Sequence, residues 1–259
     1  NYEYIRLALM DFNRKDIIIS TKSYSYDKES AEKSFTKALK ELDTDYIDIF
    51  MLHEQESEHT IRGHYEALEY FMEMKSKGYI RALGLSTHFI EGVKAANKYN
   101  EIEIIHPIVN KVGLGIVDGT ITDMVTELNI SKSLGKGIFA MKPLGGGNLL
   151  TSIDESFNYV LGLDFIDSIA VGMQREEEVI ANILRFNNQQ IPFELANAIK
   201  RKNRKLHIAE WCVKCGKCVE ACKINALTLS HEGIIIDRSK CVLCGYCSKY
   251  CKDFCIKIV

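Results

Sequence analysis

The sequence predicts an α/β fold in which a parallel sheet of the TIM-type (β/α) barrel is followed by a small cysteine-rich α+β module. Three observations support this prediction. Short runs rich in β-branched residues alternate with segments of helical periodicity along residues 1–186. Successive strand starts recur about every 30 residues, which is the spacing of βα units in such barrels. All nine cysteines lie within about the last fifty residues.

The βα units can be followed along the chain. Strand-like runs are predicted at residues 16–20, 46–52, 80–85, 102–108, 137–141 and 167–171, and helical patterns at residues 28–42 and 64–77. In the second of these helices Tyr65, Leu68, Phe71 and Met72 fall on one stripe, which predicts a buried face. Right-handed crossovers between such units build a parallel sheet. Six units are two fewer than a closed barrel needs, so either the sheet is open or two strands lie outside this chain.

The sequence also predicts the residues at which the barrel, the linker and the cysteine-rich module begin and end. The chain does not begin with methionine, and we expect it to start inside a longer polypeptide whose first two barrel strands precede Asn1. The barrel part is predicted over residues 1–186 and the cysteine-rich module over residues 210–259. A linker is predicted between them over residues 187–209, with a basic helix in the segment PFELANAIKRKNRKL.

The cysteines form two copies of one spacing, C-x2-C-x2-C-x3-C, placed 29 positions apart. The first copy contains Cys212, Cys215, Cys218 and Cys222, and the second contains Cys241, Cys244, Cys247 and Cys251. This is the bacterial ferredoxin spacing, in which the fourth cysteine of each copy binds the other cluster. Two 4Fe-4S clusters are therefore predicted. The expected ligand sets are Cys212, Cys215, Cys218 and Cys251 for the first cluster, and Cys241, Cys244, Cys247 and Cys222 for the second.

Zinc binding and disulfide formation are the two other uses that these cysteines could have. Two zinc sites would each need four thiolates from pairs of C-x2-C knuckles, which leaves the additional cysteine of each copy unexplained. Disulfides are disfavoured because the first 211 residues contain no cysteine and no apolar h-region marks the start of the sequence as secreted. The ninth cysteine, Cys255, falls on the repeat position of Ala226. We therefore predict that Cys255 is a core residue and not a ligand.

Composition and charge exclude two classes of partner. No stretch approaches the roughly 18 apolar residues that cross a bilayer, so no membrane partner is expected. Residues 187–259 hold 13 Lys and Arg against 6 Asp and Glu, but clusters with their thiolates are anionic, so no nucleic-acid surface is predicted. The chain is expected to work in a reducing cytoplasm, where thiols are not oxidised.

The ends of the predicted strands carry the chemistry, because catalytic side chains of (β/α) barrels collect at the C-terminal ends of strands. The run IIISTK ends at Lys22, YIDIFMLH ends at His53, and IRALGLSTH carries Ser86 and Thr87 near its end. The segments FAMKPLGGGNLL and SIAVGMQREEEVIANI follow in order. With these five motifs, nearly the whole chain resembles the aldo-keto reductase family, in its bacterial branch with a ferredoxin-like C-terminal domain.

The resemblance implies nicotinamide-linked carbonyl or alcohol chemistry. In that family the cofactor gives hydride to a carbonyl, a tyrosine protonates the oxygen, a lysine paired with an aspartate tunes the tyrosine, and a histidine orients the substrate. Lys22 and His53 match two of these four roles, with a solvated loop lysine and a satisfied core histidine as the alternatives. The aspartate and tyrosine are expected upstream of Asn1, so this chain alone is expected to be inactive in carbonyl reduction. Tyr2 and Tyr4 are less favoured substitutes.

The resemblance also implies where the cofactor binds. Ser86 and Thr87 correspond to the residues that hold the carboxamide, His106 lies near the family's glutamine, and Met141 takes the place of the ring that stacks on the nicotinamide. The residues assigned to the rest of the cofactor are Gly145, Gly146, Gly172, Gln174, Glu178 and Asn182. The glycines would let backbone amides approach a pyrophosphate, with a plain turn as an equal alternative.

The expected cofactors are therefore two 4Fe-4S clusters and NAD(H) or NADP(H). Gly172 and Glu178 replace the basic residues that bind a 2'-phosphate, and an acidic side chain there suits a ribose hydroxyl, so NAD(H) is favoured.

The expected function is that of an iron-sulfur oxidoreductase with a small carbonyl or alcohol substrate and a redox partner protein. Clusters transfer single electrons and nicotinamide transfers hydride, so coupling them requires a two-electron relay that the sequence does not identify. Two other functions were considered. One is an electron-transfer or structural module with a catalytically inactive barrel, and the other is a lyase in which Lys22 forms a Schiff base.

Overall fold

A computed structural model describes residues 1–200 and 204–259. Their internal contacts divide the chain into two compact units. The first unit comprises Asn1–Pro107 and Asp118–Phe139, and the second comprises Ile108–Val117 and Ala140–Val259. The strands are β1 (Ser20–Ser23), β2 (Ile47–Leu52), β3 (Ile80–Thr87), β4 (Ile104–Pro107), β5 (Gly137–Met141), β6 (Ser168–Ala170), β7 (Leu206–Ile208), β8 (Leu227–Leu229), β9 (Ile234–Ile236) and β10 (Ile256–Ile258). The α-helices are α1 (Tyr2–Leu9), α2 (Lys28–Leu42), α3 (Glu58–Gly63), α4 (Tyr65–Ser76), α5 (Ile90–Ala96), α6 (Ile121–Ser133), α7 (Ile153–Leu161), α8 (Glu176–Phe186), α9 (Phe193–Lys200) and α10 (Lys217–Glu220).

The predicted parallel α/β sheet is confirmed. Its six strands follow the order β1-β2-β3-β4-β5-β6, and the registered pairs from β1 to β5 are all parallel. In this register Lys22 lies opposite Met51, and Ser86 lies opposite His106. Because parallel neighbours end at the same edge of the sheet, the residues that follow β1, β2 and β3 come together there.

Helix α2 shows how the sequence builds the first unit. The Asp27 carboxylate accepts the Ser30 amide at 2.8 Å and begins the helix with a capping box. The helix then buries Ala31, Phe35, Ala38 and Leu42 at helical spacing. The ring of Phe35 packs edge-on against Phe50 of β2, with centroids 5.4 Å apart. Full burial of such a ring contributes about 1.5–3 kcal/mol to the free energy of unfolding.

The first strand differs from the prediction for residues 16–20. The chain forms a 3-10 turn at Arg14–Asp16, and β1 covers Ser20–Ser23. The reason is that the Ile19 amide donates to the Asp48 carboxylate at 2.9 Å and not to a strand partner. The ladder of hydrogen bonds between β1 and β2 therefore begins at Ser20, the residue after Ile19.

The helix predicted in PFELANAIKRKNRKL is confirmed over Phe193–Lys200, and its predicted end at Leu206 is corrected. Helix α9 ends at Lys200, residues 201–203 lie outside the described part of the chain, and Leu206 begins β7. Strand β7 pairs antiparallel with β10, and Leu206 packs in a core with the last strand. That core contains Leu206, Cys218, Leu227, Cys247, Ile256 and Ile258.

Along the described ranges, no helix has the length and apolarity required to span a bilayer.

Candidate redox sites

Lys22 and His53 lie at the ends of neighbouring strands. Lys22 is half-buried in β1, and burial lowers its pKa below the ordinary value, although the Glu54 carboxylate opposes part of that shift. His53 directly follows β2, and its Nδ1 lies 2.8 Å from the Ser86 Oγ of β3. The Ser86 Oγ also accepts the Glu54 amide at 3.0 Å. A buried serine thus fixes the orientation of the imidazole.

Tyr24 and Glu54 also belong to this site, although they were not predicted from the sequence. The Tyr24 ring lies against the His53 ring with centroids 4.3 Å apart, and its hydroxyl donates to the Glu54 carboxylate at 3.0 Å. Burial of part of the side chain and the bond to Glu54 raise the pKa of Tyr24 to about 12, although the residue is 60% exposed. Glu54 has a left-handed backbone, with φ 51°. The signal was available, since Tyr24 follows Lys22 by two positions and Glu54 follows His53 by one.

We call Lys22, Tyr24, His53, Glu54 and Ser86 the strand-end cluster. It combines a lysine of lowered pKa, a phenol that keeps its proton at neutral pH, an imidazole and a carboxylate. Such groups can hold or donate a proton at a carbonyl oxygen. Of the two substitutes considered, Tyr2 donates to or accepts from the Thr21 hydroxyl at 2.8 Å, and Tyr4 is largely exposed.

The residues assigned to the nicotinamide are buried. Ser86 and Thr87 have no exposed surface, and the Thr87 Oγ accepts the Phe89 amide at 2.9 Å and donates to the Phe89 carbonyl at 3.1 Å. The His106 Nδ1 is bonded to the Phe139 carbonyl, and Met141 is also buried. Both hydroxyls are thus used within the chain, and the structure does not present them as an open pair for a carboxamide.

The structure places the predicted pyrophosphate seat in a hydrogen-bonded turn. Residues 145–148, which we call the glycine turn, bond their amides within the turn: Gly145 donates to Lys142, and Gly147 donates to Leu144. A Cβ atom on Gly147 would lie 2.2 Å from the Ile258 carbonyl oxygen, so the turn is covered by the last strand. A pyrophosphate requires free amides and an open face, whereas the amides of Gly145 and Gly147 are bonded within the turn and the last strand lies against Gly147.

The residues assigned after β6 differ in their surroundings. Gly172 and Gln174 are exposed, and a Cβ atom on Gly172 would meet no atom within 4 Å. The Glu178 carboxylate accepts the Gln174 amide at 2.8 Å and lies 3.7 Å from Arg204. The buried Asn182 accepts from Arg185 at 3.3 Å. Glu178 therefore caps the start of α8, which is a structural use of the same carboxylate.

The eight cysteines of the two copies line two cavities. The first cavity is lined by Cys212, Cys215, Cys218 and Cys251, with Cys255 in its wall. The second is lined by Cys222, Cys241, Cys244 and Cys247. These are the two sets expected from the crosswise ferredoxin pattern. Within residues 1–200 and 204–259, no three His, Cys, Asp or Glu side chains converge as they would on a single metal ion.

The two copies share one backbone conformation. Left-handed residues recur at equivalent positions, and the pairs are Lys214 with Leu243, Gly216 with Gly245, and Asn225 with Phe254. The fourth cysteines have matching bonds as well: the Ala226 amide donates to the Cys222 sulfur at 3.3 Å, and the Cys255 amide donates to the Cys251 sulfur at 3.1 Å. Amide bonds to sulfur orient the two side chains in the same way. The structure thus repeats at the spacing of the sequence.

The inner cysteines lie close enough to affect one another. Burial raises the pKa of Cys218, and the neighbouring Cys251, Cys212 and Cys215 add to the shift. Burial likewise raises the pKa of Cys247 to about 12, with contributions from Cys218, Cys244 and Cys222. Because iron binds thiolates, binding of iron in these cavities would release protons.

Comparison with known proteins gives two matches along the chain. The sequence profile described as "Aldo/keto reductase family" matches residues 1–214. The profile described as "4Fe-4S binding domain" matches residues 206–228.

Individual relatives divide in the same way. Methylglyoxal reductase DkgA of Escherichia coli K12 is 25% identical over 137 residues, which are 50% of this chain and 49% of that protein. An uncharacterised polyferredoxin-like protein of Methanocaldococcus jannaschii is 39% identical over 63 residues, 23% of this chain and 37% of that protein. The chain spans about half the length, or less, of the curated relatives it matches. The solved structure of an aldo-keto reductase from Bacillus halodurans, in its holo form, superimposes with a TM-score of 0.62 and 21% identity, covering 78% of this chain and 76% of that one.

Proposed function

The chain belongs to the aldo/keto reductase family, and we propose that it is an iron-sulfur oxidoreductase that acts on a small carbonyl or alcohol substrate. The observation that carries this proposal is the presence, in one chain, of two cavities each lined by four cysteines and of the strand-end cluster. A reductase fold alone would not require the cavities. A ferredoxin module alone would not require Lys22 and His53.

We propose that the two cysteine sets hold two 4Fe-4S clusters. Such clusters supply one-electron transfer when bound. The chain's part is to present eight thiolates, to orient those of Cys222 and Cys251 with backbone amides, and to keep Cys218 and Cys247 away from water. A redox partner protein is then needed to exchange electrons with them, in a reducing compartment where the thiols are not oxidised.

At the strand-end cluster, we propose that His53 and Lys22 bind the oxygen of the substrate. The Ser86 hydroxyl fixes the His53 ring, and burial makes the Lys22 ammonium a better proton donor. Both groups would stabilise the charge that develops on a carbonyl oxygen as it becomes an alkoxide. Tyr24 lies beside His53 with its hydroxyl on Glu54, so it forms one wall of the same site.

Activity of variants tests this assignment. In anaerobically purified protein that includes the aspartate and tyrosine expected upstream of Asn1, Lys22→Met and His53→Ala are expected to lower the rate of carbonyl reduction by about 10²-fold to 10⁴-fold, the contribution of a positioned acid-base group. Lys33→Met, which changes an exposed lysine of α2, serves as the matched control and should keep the parent rate. Iron content should be the same in all three. If Lys22→Met and His53→Ala keep the parent rate, the barrel part is not catalytic through these residues.

That outcome would favour the second candidate, an electron-transfer module with an inactive barrel. The specific observation in its favour is that Ser86 and Thr87 are buried with hydroxyls bonded inside the chain.

We further propose that any nicotinamide nucleotide this protein uses is NAD(H) and not NADP(H). The support is the carboxylate of Glu178, next to the open positions of Gly172 and Gln174. A carboxylate beside a 2'-phosphate is repulsive, and charge-assisted bonds worth about 1.5–3 kcal/mol each are lost when basic partners are replaced. Titration of the protein with NADH and NADPH decides the question, and tighter binding of NADPH would overturn the assignment.

A further inference from the structure

The glycine turn packs against the last strand of the chain, β10. The Gly147 backbone, with φ +88°, comes so close to the strand that a Cβ atom there would lie 2.2 Å from the Ile258 carbonyl oxygen. A Cβ atom on Gly146 would lie 3.0 Å from the Lys257 side chain. Only glycine permits both this backbone conformation and this approach. The turn and the strand are therefore matched surfaces.

Asn148 joins the glycine turn to β10 through hydrogen bonds. Its side-chain Nδ2 donates to the Gly145 carbonyl at 2.7 Å and to the Ile256 carbonyl of β10 at 3.2 Å. The residue is only 8% exposed, so these bonds are shielded from water. A buried amide that bonds both partners makes the contact specific, because separation leaves polar groups without partners.

The segment before β10 adds an aromatic contact. Phe254 is buried with a left-handed backbone of φ 49°, and the Lys142 ammonium lies 4.6 Å from the centre of its ring. A Cβ atom on Gly146 would meet the same ring at 3.2 Å. The turn is thus covered by a side chain as well as by the backbone of the strand.

The same turn contacts the second copy of the cysteine motif. A Cβ atom on Gly245, between Cys244 and Cys247, would lie 3.0 Å from the Asn148 carbonyl oxygen and 3.3 Å from its Cβ. Gly245 has φ +72° and needs glycine for that conformation as well. Residues 145–148 therefore support both the last strand and a cysteine loop.

From these contacts we infer that the glycine turn is the docking seat of the chain's own C-terminal strand, and that a nicotinamide dinucleotide does not place its pyrophosphate there. The turn amides of Gly145 and Gly147 are bonded within the turn, and its outer face is occupied by β10. The glycines serve close packing between two parts of one polypeptide. A dinucleotide that binds this protein does so without this turn, whatever reaction the strand-end cluster performs.

Hydrogen exchange on the unsubstituted protein tests the inference directly. Amide exchange is followed by mass spectrometry under anaerobic conditions, with and without millimolar NADH, at residues 145–148 and 256–259. We expect NADH to leave exchange in both segments unchanged. Protection of residues 145–148 by NADH would overturn the inference, because it would place the dinucleotide on the turn.

A matched pair of variants tests the seat itself. Gly147→Ala adds a Cβ atom against the strand, whereas Gly135→Ala introduces the same residue at a similar φ of +82° where nothing lies within 4 Å. Exchange at residues 256–259 should accelerate about ten-fold or more in Gly147→Ala, as expected when a local contact opens, and should not change in Gly135→Ala.

Asn148→Ala, which keeps all the glycines and removes the two side-chain bonds, provides a second variant if Gly147→Ala does not fold. It should also accelerate exchange at residues 256–259. Parent-like exchange there in both seat variants would contradict the docking role.

Discussion

Asp48 is a single buried carboxylate that holds three segments of the first unit. It accepts from the Arg14 guanidinium at 2.7 Å, from Arg81 at 2.8 Å and from the Ile19 amide at 2.9 Å. Burial alone would raise the pKa of Asp48, but the bonds from Ile19, Arg14 and Arg81 outweigh it and hold the pKa below its usual range. The ionised form is therefore the one that stabilises the fold.

Asp48→Asn should lower the free energy of unfolding by about 2 to 4 kcal/mol at pH 7, because it removes a charge that buried partners require. Most of the loss comes from Arg14 and the Ile19 amide, since Arg81 is largely exposed and its attraction is screened. Asp45→Asn, at an exposed position, is the control.

The contribution of Asp48 to the free energy of unfolding changes with pH in a definite direction. A pKa lowered by folding contributes stability above the unfolded value of about 3.9, and the contribution is lost as the pH falls through the folded value. Urea unfolding of the parent and of Asp48→Asn should therefore show a difference that narrows as the pH is lowered below about 5. An equal difference at neutral and acidic pH would show that the charge of Asp48 does not matter.

Two neighbouring cysteines separate ligation from packing. Cys251 lines the first cavity and accepts the Cys255 amide at its sulfur, while Cys255 is 1% exposed in the wall of that cavity. Cys251→Ala should lower iron from about eight toward four atoms per chain, because one 4Fe-4S cluster loses a ligand. Cys255→Ala should leave iron unchanged. Loss of iron in Cys255→Ala would make the ninth cysteine a ligand.

At the scale of elements, periodicity predicted the interior of the sheet better than its edge. The helix at Lys28–Leu42 and the strand at Gly137–Met141 have the predicted bounds, because buried apolar positions determine both. The first strand was shifted because the Asp48 side chain takes the Ile19 amide, a contact across 29 residues of sequence. Such a bond leaves no local pattern in the sequence.

The sites also contain features that the sequence predicts and features that it does not. The two cysteine sets were predictable from the repeated spacing, and the structure places each set around one cavity. The covering of the glycine turn depends on the bond from Asn148 to Ile256, which are 108 positions apart. The contact of Tyr24 with His53 depends on the pairing of β1 with β2. The position of Tyr24 two residues after Lys22 is visible in the sequence, but neither of these contacts across the fold is.

Strand β3 provides a prediction on packing. A Cβ atom on Gly84 would lie 2.5 Å from the Ile104 carbonyl oxygen and 3.1 Å from the Met51 side chain. Gly84→Ala should therefore lower the free energy of unfolding by about 1 to 3 kcal/mol, the usual cost of overpacking.

Gly63→Ala is the matched control for Gly84→Ala. Gly63 ends helix α3, and a Cβ atom there would meet nothing within 4 Å. The change should be neutral or stabilise by up to about 1 kcal/mol, because alanine favours the helix. Urea unfolding of both variants measures the contrast, and equal stabilities would contradict the close packing of β3.

At the scale of the whole molecule, the chain joins a family fold to a duplicated cysteine module. The duplication is visible in the sequence spacing of 29 positions and in left-handed residues that recur at equivalent positions of the two copies. Duplication explains why each cavity takes three cysteines from one copy and one from the other. Each copy therefore contributes cysteines to both cavities.

The measurement that tests this account most directly is the metal content of the anaerobically purified protein. Two 4Fe-4S clusters require about eight iron atoms and about eight acid-labile sulfides per chain. We predict those values, with no zinc. About four of each, or two zinc ions in place of iron and sulfide, would contradict the assignment of the eight cysteines to two clusters.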